Sequence, residues 1–147
     1  MGTAGPVRNC ARASFLASIG ERITVTDRIL VVDDEAGIRH LLQNALTDEQ
    51  YSVKIATGAL DALSVLEGTS FDLAIIDLML PDIDGLQLAE AVRMLDPGTC
   101  VILITAYGTP SFESMASHPA ITHYLHKPFA LDRLLALVRQ CLGEPEV

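Results

Sequence analysis

The stretch "LAIIDLMLPDIDG", residues 73–85, decides the fold because it joins a buried strand to a carboxylate. Its first four residues are apolar and typical of a strand, and Asp77 follows them directly. A buried charge without a partner is expensive because it loses its hydration. Asp77 must therefore leave the core at this point or meet a positive group there.

The composition predicts one compact acidic domain. Half of the 147 residues are hydrophobic, which is enough for a real core. The net charge of −9 argues against binding nucleic acid through its phosphates, but it permits a cation in a carboxylate pocket. No apolar run is long enough to cross a bilayer, so we expect no membrane partner.

The three cysteines, Cys10, Cys100 and Cys141, are scattered along the chain. They have neither metal-ligand spacing nor the even count of a disulfide framework. We therefore expect a reducing compartment and a cytoplasmic protein.

Short apolar runs alternate with segments of helical periodicity, which predicts βαβ units and a parallel sheet. Gly68 is predicted to end the second helix, and Pro97 follows the end of the third. The fold class is therefore α/β, with a doubly wound five-stranded parallel sheet. The predicted strands lie within 28–35, 51–57, 71–77, 100–105 and 122–126, and the predicted helices within 36–50, 59–68, 86–96, 110–117 and 131–142.

The periodic pattern also predicts the domain organisation. Residues 1–27 form a leader that we expect to be flexible or loosely docked, residues 28–142 form the domain, and residues 143–147 form a short tail. The tail leaves no room for a second folded module.

Polar residues follow four of the predicted strands. Asp33 and Asp34 close the first, Asp77 the third and Thr105 the fourth, and Lys127 follows the fifth. Because parallel α/β sheets place function at the carboxyl ends of their strands, we expect these side chains to converge.

Three neighbouring carboxylates repel one another and raise each other's pKa, a cost that a hard divalent cation relieves. Mg²⁺ prefers oxygen ligands and is often completed by a phosphate. The Lys127 ammonium and the Thr105 hydroxyl would add a phosphoryl-oxygen site, in which Asp77 can act as a nucleophile.

Each residue alone also has a structural interpretation. The acids at 33–35 could cap a helix, and Asp77 could cap a turn. Thr105 could be an ordinary strand residue, and Lys127 a solvated charge. These interpretations would all have to hold independently at one edge of the sheet, which favours the functional one.

Four motifs, "ILVVDDE", "IIDLMLPDIDG", "ILITAYG" and "YLHKPF", occur in this order on the strand–helix pattern. In this arrangement the chain resembles a receiver domain of the two-component response-regulator family, from about Arg28 to Leu142. The resemblance implies the flavodoxin-like (βα)₅ receiver fold and a signalling domain rather than an enzyme.

The resemblance assigns a role to each matching position at the metal site. Asp77 matches the phosphoacceptor, and Asp33 and Asp34 match the acidic pair that holds Mg²⁺. Met79 stands where the family lends a backbone carbonyl to the metal.

The resemblance also implies a switch. Thr105 matches the hydroxyl residue that binds the phosphoryl group, and Lys127 matches the lysine that pairs with it. Tyr124 matches the aromatic residue that changes rotamer when Thr105 moves. The Lys127–Pro128 bond is expected to be cis. Pro119 departs from the family pattern and is expected to shorten or distort the helix before the fifth strand.

The implied phosphodonor is a histidine kinase or a phosphotransfer protein, and phosphorylation would switch partner binding. The domain either stands alone, acting on a downstream protein target, or is cut from a longer regulator whose output domain, commonly DNA-binding, is missing. A homodimer could form through the predicted 110–117 helix, the fifth strand and the last helix. The alternative is a small phosphatase of the haloacid-dehalogenase type, which is disfavoured because its general acid would stand at Met79.

Overall fold

The computed structural model describes residues 26–106 and 118–143. The predicted helix between Pro110 and Ser117, most of the leader and the last four residues of the tail lie outside the described residues. The proposed boundaries of leader, domain and tail therefore remain predictions.

The described residues form five strands and four helices, which alternate up to β4. The strands are β1 (Arg28–Val32), β2 (Ser52–Ala56), β3 (Leu73–Asp77), β4 (Cys100–Ala106) and β5 (His123–Lys127). The helices are α1 (Ala36–Asp48), α2 (Ala59–Leu66), α3 (Gly85–Leu95) and α4 (Leu131–Leu142).

The strands form one parallel sheet in the order β2-β1-β3-β4-β5. Helices cover both faces, since α2 and α3 pack on one hydrophobic cluster and α1 and α4 on the other. Successive residues of a strand point to opposite faces, so a strand covered on both sides is apolar throughout. The predicted α/β class and the doubly wound parallel sheet are confirmed.

The helix ends differ in detail from the predictions. Gly68 does not take the left-handed conformation that a glycine cap uses; instead, the last turn of α2 closes through i to i+3 bonds from Glu67 and Gly68. The described glycine with a positive φ is Gly143, at 83°, directly after α4. The first helix ends at Asp48, and Gln50 follows with a φ of 76°.

Two further features concern the interior and the membrane. Cys100 and Cys141 are buried free thiols, and the Cys100 Sγ donates to the Cys141 carbonyl at 3.6 Å. Among the described helices, none combines the length and the apolar character that a bilayer crossing requires.

Candidate functional site

The predicted site residues meet at the carboxyl edge of the sheet, where β1, β3 and β5 end. Asp33, Asp34 and Asp77 each present a carboxylate oxygen, and these oxygens all lie within 4.8 Å of one another. Asp33 and Asp77 are buried, whereas Asp34 is exposed. Three hard oxygen donors at this spacing fit a divalent cation such as Mg²⁺.

Lys127 supplies the positive group that the buried Asp77 requires. Its Nζ lies 3.1 Å from Asp77 Oδ2, 3.2 Å from Asp33 Oδ2 and 2.8 Å from Glu35 Oε1. Burial alone would lower the pKa of Lys127, but the hydrogen bonds to Glu35 and Asp77 and the charges of the acids outweigh it and raise the pKa. Lys127 is therefore a fixed cation shared by three carboxylates.

Opposing effects act on the pKa of Asp33, one of the two buried acids. Burial raises the pKa of Asp33, and the neighbouring charge of Asp77 raises it further, against the opposing hydrogen bond from the Glu35 N–H and the pull of Lys127. Such mutual repulsion is what a bound divalent ion would relieve.

Backbone contacts orient the two buried acids. The Glu35 N–H donates to Asp33 Oδ1 at 2.9 Å, and the Arg39 guanidinium donates to the Asp33 carbonyl at 2.8 Å. The Met79 N–H donates to Asp77 Oδ1 at 3.1 Å. One carboxylate oxygen of Asp77 therefore accepts a hydrogen bond within the turn, and the other accepts one from Lys127. Glu35 is the N-cap of α1 but makes no side-chain cap bond, so the capping interpretation does not explain the acids at 34 and 35.

Thr105 lies at the same edge with its side chain fully buried. Its Oγ1 has no hydrogen-bond partner among the residues that the structure describes. A buried hydroxyl is nearly always bonded, so an unbonded one points to a ligand group or a moving neighbour. The satisfied-hydroxyl interpretation of Thr105 therefore fails within the described residues.

Tyr124 is half-buried and stands opposite Leu103 in the β4–β5 register. Because side chains alternate along a strand, Tyr124 shares a sheet face with Thr105, two residues beyond Leu103. Burial raises the pKa of its phenol. The Lys127–Pro128 bond is cis, as the resemblance predicts.

Two residues of this edge were missed by the sequence reasoning. Glu35 was treated only as a possible cap, yet it makes the shortest contact with Lys127. Asp82 was treated only as part of the motif "IIDLMLPDIDG", yet its carboxylate accepts hydrogen bonds from the amino end of α2. Both contacts join segments distant in sequence, so no local pattern signals them.

Comparison with known proteins agrees with the geometry. The family model of the response regulator receiver domain matches residues 29–139. The chain is 34% identical over 135 residues to the transcriptional regulatory protein TcrA of Mycobacterium tuberculosis, covering 92% of this chain and 49% of TcrA. It is 34% identical to the response regulator MprA of Mycobacterium avium, covering 78% of this chain and 50% of MprA. The chain thus spans about half the length of these relatives.

Solved structures show the same fold. A CheY-like receiver domain protein from Methanospirillum hungatei is 32% identical with a TM-score of 0.74, and the match covers 79% of this chain and 93% of that one. The response regulator TrrA of Thermotoga maritima, solved in complex with Mg²⁺–BeF, is 35% identical with a TM-score of 0.71, and the match covers 80% of this chain and all of TrrA. The chain therefore belongs to the response regulator receiver domain family of two-component signalling.

Proposed function

We propose that Asp77 accepts a phosphoryl group from a histidine kinase or a phosphotransfer protein. The observation that carries this proposal is the convergence of three carboxylate oxygens within 4.8 Å, with the Lys127 ammonium in contact with Asp77. One carboxylate of such a group can act as a nucleophile while the others hold a metal.

Asp33 and Asp34 would hold Mg²⁺ together with Asp77 and the backbone carbonyl of Met79. When bound, the ion supplies positive charge that neutralises the acids and the phosphoryl oxygens. The close spacing of the three carboxylate oxygens supports this role, because the single Lys127 ammonium beside Asp33 and Asp77 neutralises the cluster only in part.

In the transfer step, an oxygen of Asp77 forms a bond to phosphorus as the bond from phosphorus to the donor imidazole nitrogen breaks. The nitrogen keeps the electron pair of the broken bond, and Asp77 becomes an aspartyl phosphate. Lys127 and the Thr105 hydroxyl would bind phosphoryl oxygens, which positions the group in line with the attacking oxygen.

The aspartyl phosphate would shift the domain between two conformations. Lys127 would exchange its contact with the exposed Glu35 for a phosphoryl oxygen. Thr105 would move toward Asp77, and the space that it leaves would admit the ring of Tyr124. This modification biases a two-state equilibrium and changes the surface around β5 and α4 that partners bind.

For the whole protein, we propose a cytoplasmic regulator rather than an enzyme, with this receiver attached to an output module. The relatives named as transcriptional regulatory protein and response regulator are about twice as long as the matched segment, which supports this architecture over a stand-alone receiver. A receiver homodimer would use the face that includes β5 and α4. No observation favours the phosphatase alternative, since the general-acid position holds Met79.

The proposal is tested by incubating the chain with acetyl phosphate and Mg²⁺ and measuring its intact mass. We expect a gain of one phosphoryl group that disappears in Asp77→Asn. Asp72→Asn is the matched control, because Asp72 is a similarly buried acid at the opposite end of β3 and should leave the gain intact. A gain that persists in Asp77→Asn, or its absence from the parent chain, would contradict the proposal.

A further inference from the structure

The amino end of α2 is capped by a residue from another loop. The N-cap of α2 is Gly58, which has no side chain to accept the first N–H groups. The Ala59 and Leu60 N–H groups instead donate to the two carboxylate oxygens of Asp82, each at 2.9 Å. The hydrogen bond from Leu60, followed by that from Ala59, lowers the pKa of Asp82, which is therefore an anion at the positive end of the helix.

Asp82 lies in the loop that follows the proposed phosphoacceptor. A hydrogen bond fixes the start of this loop: the Leu78 N–H donates to the Ile104 carbonyl at 2.8 Å. At the end of the loop, the Gly85 N–H donates a hydrogen bond to the Leu78 carbonyl at 2.9 Å. Asp84 lies at the end of the same loop and caps α3. Asp82 ties the middle of the loop to α2.

We propose that Asp82 is a positioning residue for the metal site. By holding the loop on α2, its carboxylate fixes the backbone at Met79, the carbonyl of which is the proposed Mg²⁺ ligand three residues earlier. This inference rests on the proposed function of the site. Groups that orient metal ligands commonly alter metal affinity when they are removed.

Gly58 gives an independent way to disturb the same contact. A Cβ at this position would lie 3.1 and 3.2 Å from the Asp82 carboxylate oxygens, so the carboxylate would have to move. The φ of Gly58 is −169°, an extended conformation that alanine also adopts. Gly58→Ala therefore loosens the contact without changing the loop sequence or the charge.

The experiment measures Mg²⁺ affinity by titration calorimetry and the rate of phosphorylation by acetyl phosphate across a range of Mg²⁺ concentrations. For Asp82→Ala we expect affinity to fall about 10-fold. The phosphorylation rate should fall by the same factor at low Mg²⁺ and recover at saturating Mg²⁺. Asp82→Asn keeps an acceptor and should recover part of the affinity, and Gly58→Ala should weaken it.

Asp61→Ala is the matched control. Asp61 is an acid of the same first turn, and it accepts the Thr57 N–H at 3.0 Å without contacting the loop after β3. It should leave Mg²⁺ affinity unchanged. The combination of Asp82→Ala with Gly58→Ala should be less than additive, because both changes act on one contact.

The two proposals can fail separately. Mg²⁺ affinity in Asp82→Ala, Asp82→Asn and Gly58→Ala equal to that of Asp61→Ala would overturn the role of Asp82. A parent chain that binds Mg²⁺ but gains no phosphoryl group on Asp77 would overturn the proposed function instead. Hydrogen exchange at the Ala59 and Leu60 amides should accelerate in Asp82→Ala, which separates loss of the contact from global unfolding.

Discussion

Both edges of the sheet contain buried polar residues, but the hydrogen bonding of these residues differs between the edges. At the amino edge, the Thr99 Oγ1 donates to the Phe71 carbonyl at 2.7 Å, and the Arg28 N–H donates to Asp72 at 2.9 Å. At the carboxyl edge, the Thr105 Oγ1 has no partner among the described residues, and two buried acids face one lysine.

The difference separates a structural edge from a binding site. Bonded polar groups at the amino edge help to fix the turns between elements. Unbonded and mutually repelling groups at the carboxyl edge reduce stability, and natural proteins keep such groups where a ligand will satisfy them. Matched substitutions at the two edges should therefore differ in their effects on stability and on phosphorylation.

The largest effect is expected for Gly85→Ala, beside the carboxyl edge. A Cβ there would overlap the backbone oxygen of Asp77 and lie 2.7 Å from the Leu78 Cα. Because backbone cannot move away as a flexible side chain can, the free energy of unfolding should fall by about 3 kcal/mol or more. Urea denaturation measures this change.

Gly68→Ala is the control near the amino edge. Apart from its chain neighbours, no described residue has an atom within 4 Å of a Cβ at Gly68, and the φ of Gly68 is not positive. Stability should stay the same or rise by about 0.4–1 kcal/mol, since alanine restricts the unfolded chain. Equal losses in the two variants would contradict the close packing of Gly85 against β3.

The second comparison replaces each buried threonine by the isosteric valine. Thr99→Val removes the hydroxyl that donates to the Phe71 carbonyl and should lower the free energy of unfolding by about 1–2 kcal/mol, with phosphorylation unchanged. Thr105→Val removes a hydroxyl that has no described partner. Its stability should stay within about 0.5 kcal/mol of the parent, while its phosphorylation slows about 10-fold or more.

Thermal unfolding and the acetyl phosphate assay, run on both valine variants, test whether Thr99→Val loses mainly stability and Thr105→Val mainly phosphorylation rate. A Thr105→Val protein as destabilised as Thr99→Val would mean that the Thr105 hydroxyl is a structural group. The comparison between the edges would then be wrong at that position.

The smallest effect concerns pH at His123, at the amino end of β5. Burial, and then the charge of Arg133, lower the pKa of His123 in the fold. The unfolded chain therefore takes up the proton first as pH falls. The stability that neutral His123 contributes is complete above its ordinary pKa of about 6.5 and is lost as pH falls through the lowered folded value.

We expect His123→Gln to remove this loss. Between about pH 7.5 and about pH 5, the free energy of unfolding should fall less in the variant than in the parent. Chemical denaturation at both pH values measures it. A difference independent of pH would show that His123 does not resist protonation in the fold.

The sequence allowed most of the fold to be predicted because its signals are local. The apolar runs that end at Val32 and Ile76 are each a few residues long, and the apolar stripe of the last helix lies within a few turns. The alternation of these elements fixes a parallel sheet, and the sheet carries distant polar residues to one edge. Asp33, Asp34, Asp77 and Lys127 were therefore expected together, and the structure brings them together.

The missed features are contacts across loops. The stabilisation of α2 by Asp82 joins residues 22 and 23 positions apart, and the contact between Glu35 and Lys127 joins residues 92 apart. Gly68 was predicted as a cap from its residue type, but the last turn of α2 closes without a left-handed residue. The contacts of Asp82 and Glu35 depend on tertiary packing, which residue spacing does not encode.

The carboxylates around the shared lysine affect how dissolved cations distribute at the site. The three carboxylates that contact the Lys127 ammonium carry more negative charge than this one cation neutralises when all are ionised. Such a cluster attracts monovalent cations from solution, and these compete with a divalent ion for the same negative potential. The responsiveness of this domain should therefore depend on the total salt of its surroundings as well as on its phosphodonor.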